Sequence, residues 1–192
     1  MTSLSASLAS IRDELNATTA RLHTLVDTMD DAAWRAKPAQ GRWSVAECVE
    51  HLNLTSRAYV PLLKEALRDG RARGQTNPSP SSRLDIVGWM LVRTLEPPVK
   101  RRRGMKTTDP FIPPTIAPRG KAVAEYEELQ RRLIALLTEA EGLSISKIKA
   151  RSAFNAKLRY SVYSSFRVIA THQRRHLWQA EQAREAVRAV AR

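Results

Sequence analysis

Apolar residues recur along this chain in alternating steps of four and three. Near the start, Leu4, Leu8, Ile11, Leu15, Thr18, Leu22, Leu25 and Met29 follow that spacing. It gathers them on one stripe of an α-helix facing a core. Pro38 and Gly41 mark a loop. Ser44-Val45-Ala46-Glu47 then has the form of a capping box, in which the serine accepts from an early N–H and the glutamate reaches back. Trp43 stands just before the cap, placed to pack on the first turn. The second stripe runs through Val45, Cys48, Leu52, Thr55, Tyr59, Leu62 and Ala66. Pro61 removes a backbone donor and predicts a kink, and Gly70 is the expected stop. A third helix is predicted from about Lys121 to Ala140, with Tyr126, Leu129, Leu133, Leu136 and Ala140 inward and Gly142 at its end. Residues 143–160 follow neither period. A fourth helix is predicted from about Ser161 towards the C-terminus, with Phe166, Ile169, Gln173, His176, Ala180, Ala183, Val187 and Val190 on its inner side. Four amphipathic helices and no strand pattern predict an all-α four-helix bundle, one domain over residues 1–192.

Residues 70–119 break the pattern between the second and third helices. RARGQTNPSPSS reads as loop, and Ser82 to Glu96 as a short helix with Leu84, Val87, Leu91 and Leu95 on one side. Pro97, Pro98, the basic run Lys100 to Arg103, and Pro110, Pro113, Pro114 and Pro118 follow. So long an insert in a compact domain signals function, an interface or partial disorder.

Composition narrows the class. The chain has 192 residues, 43% hydrophobic and 27% charged, as globular domains do. Its longest apolar patch, Ile86 to Val92, is far short of the roughly 18 residues a membrane span needs. The start, MTSLSASLASIRDEL, lacks the basic and apolar regions of a secretory signal, so a cytoplasmic location is expected. A single cysteine, Cys48, excludes an intrachain disulfide. The net charge of +13 and a pI near 10.7 would attract nucleic acid, acidic lipids or anionic metabolites. The run Lys100-Arg101-Arg102-Arg103 could dock phosphates, although a solvated loop is the plainer reading. No phosphate-binding loop, dinucleotide fingerprint, zinc-finger spacing or helix-turn-helix accompanies the charge, which ranks a nucleic-acid or membrane-surface role last.

The histidines carry more information. There are four. His172 and His176 stand four apart, on one face of the last helix and within reach of a single ion. His51 lies beside the core stripe of the second helix, and side chains from facing helices of a bundle can meet on one cofactor. Three neutral imidazoles suit Zn²⁺, Ni²⁺, Cu²⁺ or Fe²⁺ and leave coordination positions open, as at a catalytic metal. The blander alternative is three packing histidines. The glutamate of a metalloprotease H-E-x-x-H is missing, because Gln173, Arg174 and Arg175 fill the gap. His23, beside the first stripe, reads as a surface or partly buried residue. Glu47 could orient a water or act as a base, but its cap already accounts for it. Cys48 could approach a metal as thiolate, yet reads better as a small core residue. Gln179, three residues after His176, could bond a ligand from behind, and Tyr59, two turns from His51, could line a pocket.

Two segments resemble a known family. GRWSVAECVEHL (Gly41 to Leu52) resembles the start of the second helix in the DinB/YfiT-like superfamily. THQRRHLWQAEQ (Thr171 to Gln182) resembles its fourth-helix signature. The resemblance implies a bundle with up-down-down-up connectivity. It also implies a metal site of one histidine from the second helix and two from the fourth, matching His51, His172 and His176. Family members include transferases and isomerases that use low-molecular-weight thiols, and metal-dependent hydrolases. The expected function is therefore a metal-dependent enzyme, with Zn, Ni or Fe, that activates water or such a thiol to attack a small electrophile. A non-catalytic metal-binding stress protein is the alternative. A homodimer is expected, because relatives pair and residues 84–95 carry apolar surface.

Overall fold

A computed structural model describes residues 4–77, 82–98, 107 and 109–190, and the basic run Lys100–Arg103 lies outside them. The four long helices are α1 (Ala6–Val26), α3 (Val45–Ala72), α5 (Arg119–Glu139) and α6 (Val162–Val190). Two short ones, α2 (Asp31–Arg35) and α4 (Ile86–Leu95), sit in the connections.

Side-chain pairings fix the helix directions. Along α1 and α6, Glu14 meets Arg167, Thr18 meets Gln173, Arg21 meets Glu181, and the Leu25 carbonyl meets Arg184. The numbers rise together, so these helices run parallel. Asn53 with Ala122, Arg57 with Glu125, and Arg71 with Glu139 make α3 and α5 parallel in the same way. Between α1 and α5 the order reverses, from Ser5 with Glu141 to Val26 with Arg119. It reverses again between α3 and α6, where His51 meets His172 and Tyr59 meets Tyr160. The bundle is up-down-down-up, which brings the start of α3 beside the middle of α6.

Each helix end has a local cause. Ser44 and Glu47 form the complete capping box at α3. The first helix stops at Val26, short of the expected Met29, and Met29 is buried beyond its end. Asp30 then caps α2 by accepting from the Ala33 N–H at 2.7 Å, and α2 buries Trp34. Gly70 does not end α3, which continues to Ala72. Gly70 instead lets Ile148 approach, since a Cβ there would lie 2.4 Å from Ile148 Cδ1. Gly74, with φ +66°, follows the helix end in a left-handed conformation that suits glycine. Leu63 rather than Leu62 is buried on α3, continuing the four-residue step from Tyr59. At the other end of the chain, Val190 is exposed, so the inner stripe of α6 ends before it.

Residues 143–160 contain what periodicity did not show. Strands β1 (Lys149–Arg151) and β2 (Arg159–Ser161) pair antiparallel, with Ala150 opposite Tyr160 and both buried. The Ser161 hydroxyl then accepts from the Ser164 N–H at 3.0 Å, capping α6.

The core has two large apolar clusters, one from Leu8 to Ala170 and one from Leu22 to Ala183. A buried polar group lies at the level between them. Thr18 and Tyr126 donate to Gln173 Oε1 at 3.0 and 3.2 Å, and Gln130 and Gln173 exchange bonds at 3.0 and 2.9 Å. Such a satisfied network fixes the mutual register of α1, α5 and α6. Outside the bundle, α4 packs on α6 through Leu95 and Val168. Gly88 permits the approach, because a Cβ there would lie 2.3 Å from Ser164 Cβ. Asp85 fastens its start, accepting from the N–H groups of Gly88 and Ser161 at 2.9 and 2.7 Å and pairing with Lys149 at 2.7 Å.

Candidate metal centre

His51, His172 and His176 converge on one point. Each offers a ring nitrogen, and these nitrogens lie within 4.8 Å of one another. His51 stands on the second turn of α3, held in place by the capping box at that helix's start. His172 and His176 stand one turn apart on α6, ring centroids 4.5 Å apart. Their exposures are 2%, 7% and 8%.

The protonation pattern follows from the contacts. His51 Nδ1 lies 2.7 Å from the Phe111 carbonyl, which can only accept. The proton therefore sits on Nδ1, and the Nε2 lone pair points inward. His51 Nε2 and His172 Nε2 are 3.2 Å apart. Two imidazole ligands at about 2.0–2.1 Å on a tetrahedral ion would stand about 3.3 Å apart, so the spacing fits a divalent metal between them. His176 Nδ1 is buried without a hydrogen-bond partner among the described residues. Burial pushes the His51 pKa down to about 4, against the Phe111 bond, which acts the other way. Burial, His51 and Arg175 hold His172 well below the ordinary value. Burial, His172, His51 and Arg175 do the same to His176, with Gln179 opposing. All three are neutral at pH 7, the form that binds metal.

The insert completes the site. A single 3₁₀ turn, Asp109–Phe111, carries the carbonyl that orients His51. The Phe111 ring packs on Phe154 at 4.9 Å between centroids. Next to His51, Glu50 accepts from the Ala117 N–H at 3.0 Å and ties down the same segment. Trp43 packs against His51 and His176 at 5.0 and 5.8 Å.

The histidines open onto a cavity of about 450 Å³. Leu91 and Leu95 of α4, with Phe154 and Val168, give it an apolar wall, and Arg175 and Gln179 add polar groups. A cavity of about 580 Å³ at the far end of the bundle, near Glu141, contains none of the histidines.

The remaining sequence candidates separate clearly. Gln179 lines the histidine cavity. Glu47 is spent on its cap: Oε2 accepts from the Ser44 N–H at 2.8 Å and Oε1 pairs with Lys37 at 2.8 Å. Burial raises its pKa, but Lys37 and Ser44 outweigh that and lower it. Tyr59 does not line the cavity. Two helical turns carry it about 12 Å along α3, to a bond with the Tyr160 hydroxyl at 2.5 Å and a place behind Phe154. Cys48 is buried in an apolar cluster, where burial and Glu47 raise its thiol pKa and keep it protonated. His23 is partly exposed and bonds Glu127 at 2.9 Å.

Three contributors escaped the sequence reading in these roles: Phe111, Trp43 against the histidine rings, and Arg175 in the wall. Trp43 was visible through its place before the cap. Phe111 acts through a backbone carbonyl, which any residue carries.

Comparison with known proteins agrees with this geometry. The model of the DinB superfamily matches residues 14–180. No curated protein matches the sequence. Among solved structures, YfiT from Bacillus subtilis is similar, with a TM-score of 0.59 and 19% identity over 100% of this chain and 92% of that one. It is described as a probable metal-dependent hydrolase with an unusual four-helix bundle topology.

Proposed function

The chain belongs to the DinB superfamily, and on that premise we propose that it is a metal-dependent enzyme acting on a small electrophilic substrate. The observation that carries this reading is the convergence of three buried, neutral histidines on an open cavity. A purely structural metal would have a closed set of protein ligands. Three histidines leave room for a reactant, and the cavity gives it a way in.

A Zn²⁺, Ni²⁺ or Fe²⁺ ion held by His51, His172 and His176 would act as a Lewis acid, drawing the pKa of a water or low-molecular-weight thiol towards neutrality. The surrounding residues set the conditions for that chemistry. Phe111 fixes the His51 ring and its tautomer. Trp43 packs on two of the three rings and holds them against rotation. Leu91, Leu95 and Val168 make part of the cavity wall apolar, and low polarity strengthens electrostatic effects. Among the described residues the cavity has no carboxylate. Gln179 is placed to hydrogen-bond a reactant beside His176. The likeness to YfiT, described as a probable metal-dependent hydrolase, favours hydrolysis, and thiol transfer is the second reaction the same site could support.

The test uses untagged protein loaded separately with Zn²⁺, Ni²⁺ and Fe²⁺. It is assayed for hydrolysis of p-nitrophenyl acetate and for transfer of 2-mercaptoethanol to 1-chloro-2,4-dinitrobenzene. Metal-dependent turnover that disappears in the His172→Ala/His176→Ala variant supports the proposal. Bound metal with no turnover of either electrophile would make the protein a non-catalytic metal binder.

A further inference from the structure

We propose that Arg175 anchors a carboxylate on the ligand, so that this site takes an apolar small molecule with one anionic end. The inference builds on the proposed function only in placing the ligand's reacting end at the histidines.

The basic residues of α6 do not share one role. Arg167 pairs with Glu14 at 2.9 Å. Arg174 bonds both Glu14 and Glu96. Arg175, their neighbour, meets no carboxylate among the described residues, and its side chain lines the histidine cavity. Its recorded bond is Nη1 to the Thr94 carbonyl at 3.2 Å. That carbonyl belongs to the last turn of α4, where carbonyls lack helical partners and a cation is favoured. The bond holds the guanidinium at the wall and leaves most of its five N–H donors available.

The rest of the cavity defines the complement. Leu91, Leu95 and Val168 line the same cavity as the arginine. Among the described residues no acid lines the cavity beside Arg175, so its guanidinium gives that wall a positive charge. A half-buried guanidinium with open donors, set in an apolar wall, matches a carboxylate through paired charge-assisted bonds. An apolar body would cover the leucines, and the opposite end would reach the histidines.

Calorimetric titration of metal-free protein tests this without relying on the metal. The probes are 4-phenylbutyrate and its neutral counterpart 4-phenyl-1-butanol, applied to native protein, Arg175→Gln and Arg175→Lys. Native protein should bind the acid about tenfold more tightly than the alcohol, the worth of one charge-assisted pair. Arg175→Gln should erase the preference and leave alcohol binding intact, while Arg175→Lys should keep part of it. An unchanged preference in Arg175→Gln would overturn the proposal. Equal loss of both ligands would also overturn it, since that marks Arg175 as a mere tether for α4. So would absence of acid binding to native protein. A separate Zn²⁺ titration of native protein reports on the histidines, so the two readings fail independently.

Discussion

His51 shows how much one residue can depend on a distant backbone atom. Its ring is oriented by the Phe111 carbonyl, 60 residues away in sequence. The spacing of His172 and His176 was legible because four residues make one helical turn, and His51 because it sits beside an apolar stripe. The Phe111 carbonyl left no mark in the sequence. Tyr59 misled for a simple reason: sharing a helix face with His51 says nothing about the distance along the axis.

The same burial makes a prediction about pH. The imidazoles are depressed in the folded state, so the unfolded chain takes up protons first as pH falls. Metal-free protein should be fully stabilised in this respect above about pH 6.5, the unfolded value. It should lose stability progressively below that, with the His51 contribution gone near its folded pKa of about 4. Urea midpoints between pH 4 and 8 will show the slope, and His51→Gln should flatten it. A native midpoint constant between pH 6.5 and 4.5 would contradict the burial of neutral rings.

At the scale of elements, the caps were the most legible features and the short strands the least. The capping box at α3 is local chemistry within four residues, so sequence showed it fully. Three-residue strands are too short to display a period of two, and their pairing comes from residues 143–160 folding back on themselves. Glu47→Ala should cost stability on the order of 1 kcal/mol, as lost caps do, without lowering bound metal. Loss of metal in that variant would restore Glu47 to the site.

The placement of α4 depends on Gly88 and Asp85. Gly88→Ala would drive a Cβ into Ser164, 2.3 Å from its Cβ. It should destabilise by about 1–3 kcal/mol, as overpacking does, and shift α4 at the cavity wall. Thermal melts and proteolysis near residues 85–95 will read this out. Burial raises the Asp85 carboxyl, but Lys149 and the Gly88 and Ser161 N–H groups outweigh that and lower its pKa. Its stabilisation is therefore present above the unfolded value of about 4 and lost as pH falls through the folded one. Asp85→Asn should destabilise at pH 7, and its difference from native protein should shrink as pH falls below about 4.

For the whole molecule, connectivity is what assembles the site. Parallel α3 and α5, and parallel α1 and α6, place the second turn of α3 opposite the middle of α6. Periodicity alone gave the helices but not their directions, because an amphipathic stripe looks the same in either sense. Family resemblance supplied the connectivity, and the side-chain pairings confirm it. The net charge of +13 belongs to a different scale. Pairs such as Arg21 with Glu181 leave that excess unchanged, and Arg175 is where it bears on the cavity. No helix among the described residues is long and apolar enough to cross a membrane.

Everything proposed about chemistry rests on the three histidines holding a metal. The most direct measurement is elemental analysis of untagged native protein beside the His172→Ala/His176→Ala variant, each incubated with Zn²⁺, Ni²⁺ or Fe²⁺ and then desalted. The site predicts about one equivalent of transition metal per native chain, and none held by the variant. Native protein that stays empty with all three ions would contradict the account and leave the cluster as packing histidines.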